Sequence, residues 1–146
     1  TAPRVALEGR HLWPAFIDMH THLDCGHAIP RVRPDGTIHG GFSLTAEDWP
    51  RWTDDDLDLR MNFGMACAYA HGVAALRSHV DSETLAYSQH HWRALDRMRA
   101  KWAGKVDLQG VTICAMEAWV GDDARALADL AAEIRRGAKR APRLAA

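Results

Sequence analysis

Three short apolar runs, each closed by polar residues and followed by a stretch with helix signals, set the limits on this chain. Residues 15–22 lead into His20-Thr21-His22, residues 73–81 into His79-Val80-Asp81, and residues 106–114 end at Cys114. Mostly apolar runs of this length suit strands covered on both faces of a parallel sheet. Helices are predicted over 53–71, 83–102 and 122–137. Thr53 can cap the first, and Asp54, Asp55 and Asp56 suit the positive end of its dipole. Leu57, Met61, Met65 and Ala68 recur at helical spacing, and Gly72 supplies a stop. Leu85, Trp92, Leu95, Met98 and Trp102 make the apolar face of the second, which Gly104 ends. Leu127, Leu130, Ala131 and Ile134 form the inner stripe of the third. Strand and helix alternating three times argue for an α/β fold with helices outside a parallel sheet.

The remaining segments are irregular. Residues 1–12 are too few for a domain and read as the remnant of an N-terminal β segment, two short strands turned at Gly9. Residues 25–52 hold Pro30, Pro34, Asp35-Gly36, Gly40-Gly41 and Pro50, with no sustained period. Loops this long are functional or disordered, and Trp49 and Trp52 favour order. His27 and His39 read as solvated loop histidines, and His90 and His91 as helix-packed or solvated. Residues 138–146 have no amphipathic logic and read as an irregular tail.

A formal net charge of −1 gives no electrostatic case for nucleic acid or a membrane surface as partner. No apolar run approaches the roughly 20 residues of a membrane span. Three cysteines, none in a CxxC pair, favour a reducing compartment and hence the cytoplasm. HExxH, GxxxxGK[ST], GxSxG and GxGxxG are absent, as is the HxE with PCxxC of one zinc deaminase type.

Side chains at i and i+2 of a strand share a face, so His20 and His22 project together, with Asp24 next on that side. Two imidazoles on one rigid face can share a metal ion, against the alternative of a chance pair in a chain with nine histidines. Arg77, His79 and Asp81 share a side of the second strand. In parallel α/β folds, function gathers at the C-terminal strand ends, where His20, His22, Asp24, His79 and Asp81 all fall. A catalytic divalent ion needs three or more protein ligands and an open position. Cys25, beside two histidines, is a further possible ligand.

Ala15-Phe-Ile-Asp-Met-His-Thr-His-Leu-Asp24, preceded by Leu12-Trp-Pro, resembles the start of the barrel in the amidohydrolase superfamily, and within it bacterial cytosine deaminases. Gly26-His27 and Pro30-Arg31 continue the likeness. So do the segment from Tyr69 to Asp81 and Trp102-Ala-Gly-Lys-Val-Asp-Leu-Gln109. The resemblance runs from about residue 5 to about residue 114. It implies a metal-dependent hydrolase on a (β/α)8 TIM-like barrel, replacing an exocyclic amine on a pyrimidine-type ring by oxygen with release of ammonia. It implies His20 and His22 as ligands of a divalent ion, iron or zinc, with Asp24, His79 and Asp81 lining the pocket and a small nucleobase-like substrate.

The chain departs from that family in extent. Residues 13–137 hold only the first three βα units, whereas a whole barrel takes about 250 residues. The family's histidine on the fifth strand, aspartate on the eighth, and sixth-strand histidine with its nearby glutamate lie beyond them. The substrate-holding glutamine of cytosine deaminases has no match in Cys114-Ala-Met-Glu117. Glu117 is the polar candidate there, or else an ordinary loop carboxylate. An incomplete barrel leaves sheet edges unpaired and an apolar face open. The expectation is a truncated or frame-shifted product with little activity alone, which self-associates or takes a complementing chain. An amidohydrolase for another N-heterocycle, such as an aminotriazine or cyclic amide, and a non-enzymatic metal-binding fragment are the alternatives.

Overall fold

The computed structural model describes residues 3–138 apart from 34, 83 and 123. Strands β1 (Phe16–Thr21), β2 (Val73–Asp81) and β3 (Asp107–Ile113) form one parallel sheet in the order β1-β2-β3. Helices α1 (Ile38–Asp48), α2 (Asp54–Ala70), α3 (Leu85–Lys101) and α4 (Ala124–Ala138) complete the regular structure, with short 3-10 turns at Trp49–Arg51 and Met116–Trp119. The chain is thus α/β with alternating βα units. Among the described residues no helix is long and apolar enough to cross a membrane. Most of the expected tail, residues 139–146, lies outside the described residues.

Among the described residues β2 and β3 are covered on one face, and β1 stays largely exposed. Along β2, Leu76, Ser78 and Val80 are buried, and the alternate residues Arg77, His79 and Asp81 are partly exposed on the other face. Leu57, Met61 and Met65, spaced by one helical turn on α2, are fully buried, as is Leu95 of α3. They form one core with Leu76, Val80, Trp92, Met98, Val106 and Leu108. A side chain at Gly110 of β3 would collide with Leu95 and the Trp92 ring, so glycine lets α3 sit close on the sheet. On the opposite face Arg77 Nη2 donates to Gln109 Oε1 at 3.1 Å, and Val111 and Ile113 stay exposed. Pairing of β2 with β3 is regular from Ala75–Asp107 to Asp81–Ile113, whereas β1 pairs with β2 through two register shifts.

The end signals on α2 act as the sequence predicts. Thr53 Oγ1 accepts from Asp56 N at 3.2 Å, three aspartates fill the first turn, and Gly72 takes φ +83° just past the helix. Two segments differ from expectation. The short strands on either side of Gly9 are not formed, although the turn is, with Arg10 N donating to Leu7 O at 2.9 Å. A two-stranded ribbon with no sheet to join is marginal in water. Within the expected loop 25–52 lies α1. Asp35 Oδ1 accepts from Thr37 N, Thr37 Oγ1 accepts from Gly40 N at 2.9 Å, and the residue α1 buries is Asp48. A helix fixed by polar contacts leaves no apolar period to read.

That polar anchoring is substantial. Asp48, whose side chain is fully buried, accepts from Arg31 Nη2 at 2.6 Å and from Trp52 Nε1 at 2.7 Å. Arg31 also pairs with Asp56, which accepts from Arg60 Nε at 2.8 Å. Burial alone would raise both carboxyls, but Arg31 with Trp52 at Asp48, and Arg31 with Arg60 at Asp56, outweigh it and hold both below the usual range. The stability they contribute is therefore complete above the unfolded Asp value of about 3.9. It is lost as pH falls through their lower folded values. Asp48→Ala is expected to cost about 2 kcal/mol at neutral pH, less than a wholly buried pair because Arg31 is partly solvated. Urea unfolding at pH 7 and in the acid limb below about pH 4 checks both magnitude and sign.

Candidate functional site

β1 and β2 run side by side, and their C-terminal ends bring three imidazoles together. His20 Nε2 and His22 Nε2 are 3.2 Å apart. The His79 ring lies 4.0 Å from that of His20 and 5.6 Å from that of His22, centroid to centroid. One ligand nitrogen from each of the three falls within 4.8 Å of the others. In sequence His20 and His22 stand out as a pair, and His79 only as a pocket-lining residue. The parallel register makes it the third member of the cluster.

The donor set suits a divalent transition metal. Nitrogens bound to one tetrahedral zinc at 2.0–2.1 Å lie about 3.3 Å apart, close to the His20–His22 separation. His79 Nδ1 is buried, and the backbone of Thr21 at the end of β1 is a polar neighbour of the ring. Burial, and then the neighbouring His20 and His22, push the His79 imidazole below its ordinary pKa and favour the neutral form that ligates metal. His20 sits at an exposed position, which leaves an approach for solvent and a small molecule. A cleft of about 330 Å³ runs along β1, touching His22, His27, Gly64, Cys67 and His71.

His22, Asp24 and Cys25 also bring ligand atoms within 4.8 Å of one another. Burial, followed by the charges of Asp24 and Asp81, drives the Cys25 thiol strongly upward. Asp24, expected beside His20 and His22, is instead fully buried and faces α3, because β1 ends at Thr21 and strand alternation does not reach residue 24. Its Oδ2 lies 3.1 Å from His91 Nδ1 and accepts from Asp81 N at 2.8 Å. Burial alone would raise this carboxyl, but His91 and the Asp81 amide hold it below the usual range. Asp81 is partly buried at the end of β2. Glu117 is exposed on the 3-10 turn after β3. His27 is exposed with φ +61°, edge-on to Phe63.

Two supporting residues lie behind the site: His91, which the sequence offers as helix-packed or solvated and which is packed, and Arg60, which the sequence does not single out. His91 is fully buried, and its spacing to Leu95 and Met98 places it on the apolar stripe of α3. Arg60 is buried one turn from Leu57, donating to the carbonyls of Asp24 and Gly26 and lying 4.7 Å over the Trp52 ring. In both cases a polar residue at an apolar helical position was the available signal.

Over 115 residues, 76% of its length, the chain is 39% identical to a protein of Rhizobium rhizogenes named pterin deaminase. The chain is similar to a deaminase. It spans about a quarter of the length of that relative, 26% by the match. No protein-family model matches the chain. The deaminase it resembles at this level is named for pterin, a different ring from the cytosine that the sequence resemblance implied.

Proposed function

We propose that the chain carries the first three βα units of a metal-dependent deaminase of a nitrogen heterocycle, built on a (β/α)8 barrel. The observation that carries this reading is the convergence of His20, His22 and His79 at the C-terminal edge of a parallel sheet, in a chain similar to a deaminase. His20 and His22 hold a divalent ion, zinc or iron, with His79 against them. When bound, such an ion supplies a Lewis acid that lowers the pKa of water to about 7. The reaction consumes one water, replaces the ring amine by a carbonyl oxygen and releases ammonia. In this reading Asp81 and Glu117 line the substrate side, Glu117 as an acceptor for ring N–H groups. The open sheet face and the outer edge of β1 are where further strands would pack.

Pterin and cytosine both carry an exocyclic amine on a pyrimidine ring, so one site chemistry serves either. The name of the relative favours the larger, fused ring. Three cysteines with no CxxC pair among them suit a reducing cytoplasm. Two measurements test the reading. Metal analysis of the 146-residue chain is expected to find one zinc or iron per chain. Ammonia release is measured on metal-loaded protein extended to the length of the relative, against pterin, cytosine and an aminotriazine. Turnover of the aminotriazine alone would move the substrate class. No ammonia from any of the rings would sink the deaminase reading.

A further inference from the structure

The imidazoles come from two strands whose pairing is irregular at this point. Register shifts interrupt β1–β2 between Asp18 and Thr21, just where His20 sits. Ladder hydrogen bonds there do not by themselves fix how far His22 stands from His79. Two residues beyond each of these histidines the chain makes a cross-link. Asp24 follows His22 by two, Asp81 follows His79 by two, and Asp24 Oδ2 accepts from Asp81 N at 2.8 Å. Leu23 N adds a second tie, donating to Ser78 Oγ at 3.1 Å. The Asp24 carboxylate is held from behind by His91 of α3, whose Nδ1 stands 3.1 Å from the same Oδ2. Both side chains are fully buried. Arg60 fixes the backbone on the other side through the carbonyls of Asp24 and Gly26. A buried polar pair contributes little net stability compared with apolar residues of the same volume, so its worth here lies in geometry.

We propose that Asp24 and His91 are positioning residues for the histidine cluster, setting the spacing of His22 and His79 through the Asp24–Asp81 amide bond. The inference rests on the metal reading given above. His91 reaches the cluster through Asp24, as an outer-shell partner does for a metal ligand. Loss of such a partner weakens metal affinity by about 10–100-fold.

Cobalt(II) titration of the 146-residue chain, followed by its ligand-field absorption, tests the inference beside thermal unfolding of the same proteins. His91→Phe keeps ring volume and removes the Nδ1 contact, and His91→Gln restores a donor. Expected is a 10–100-fold loss of cobalt affinity in His91→Phe, with a shifted absorption band at saturation, both largely restored in His91→Gln. A purely structural pair would lower the unfolding temperature and leave the saturated band where it is. An unchanged band and affinity in folded His91→Phe overturn the proposal. Should that variant not fold, Asp24→Asn decides: a shifted saturated band supports positioning, and an unshifted one overturns it. A parent chain that takes up no cobalt overturns the metal reading itself, and this inference with it, an outcome distinct from a normal parent with an indifferent variant.

Discussion

Replacing His20 and His22 together by alanine is expected to abolish stoichiometric zinc binding, with affinity falling well beyond 100-fold. Loss of an outer-shell partner already costs about 10–100-fold, and a direct ligand contributes more. The double substitution leaves His79 alone, and one imidazole gives only weak, exchangeable binding. Both histidines lie at the end of β1, where His20 is exposed and His22 only partly buried, so neither is part of the core under the sheet. The fold is therefore expected to survive with its far-ultraviolet circular dichroism intact. His79→Ala alone leaves the 3.2 Å His20–His22 pair and should weaken binding less than the double change. Calorimetric titration with zinc, and metal content after gel filtration, read the result directly. Equal zinc affinity in the double variant and the parent would place the metal elsewhere.

Leu95→Ala is expected to destabilise the chain by about 2–5 kcal/mol. Leu95 has no solvent exposure and packs where Gly110 admits α3 close to β3, beside Trp92. Truncation leaves a cavity between helix and sheet that the rigid Trp92 ring fills poorly. Domains of this kind have only about 5–15 kcal/mol in hand, and among the described residues β2 and β3 are covered on one face. The loss therefore takes a large part of the total. The midpoint of urea unfolding by tryptophan fluorescence measures it, and a change under 1 kcal/mol would show that α3 does not hold the sheet.

Much of this was legible in one dimension. Leu57, Met61 and Met65 announce a helix by spacing, and Thr53 with three aspartates announces where it starts, because caps and apolar periods are local properties. The parallel sheet follows from strand–helix alternation, since strands joined through helices must return in the same direction. His20 and His22 are legible as a pair because a strand alternates its faces. Helix α1 was not, because its anchors, Asp35 to Thr37 and Asp48 to Arg31 and Trp52, are polar and carry no period.

The local elements, the strand ends where polar residues gather, and the two histidines two residues apart follow from neighbouring residues alone. Which distant residues meet them depends on how strands and helices pack. The parallel register of β1 against β2 brings His79 to His20 across 59 positions of chain, and packing of α3 on the sheet buries His91 against Asp24. Spacing within one element reports which side chains share a face. The register between elements is settled by the whole core at once, so no local pattern encodes it.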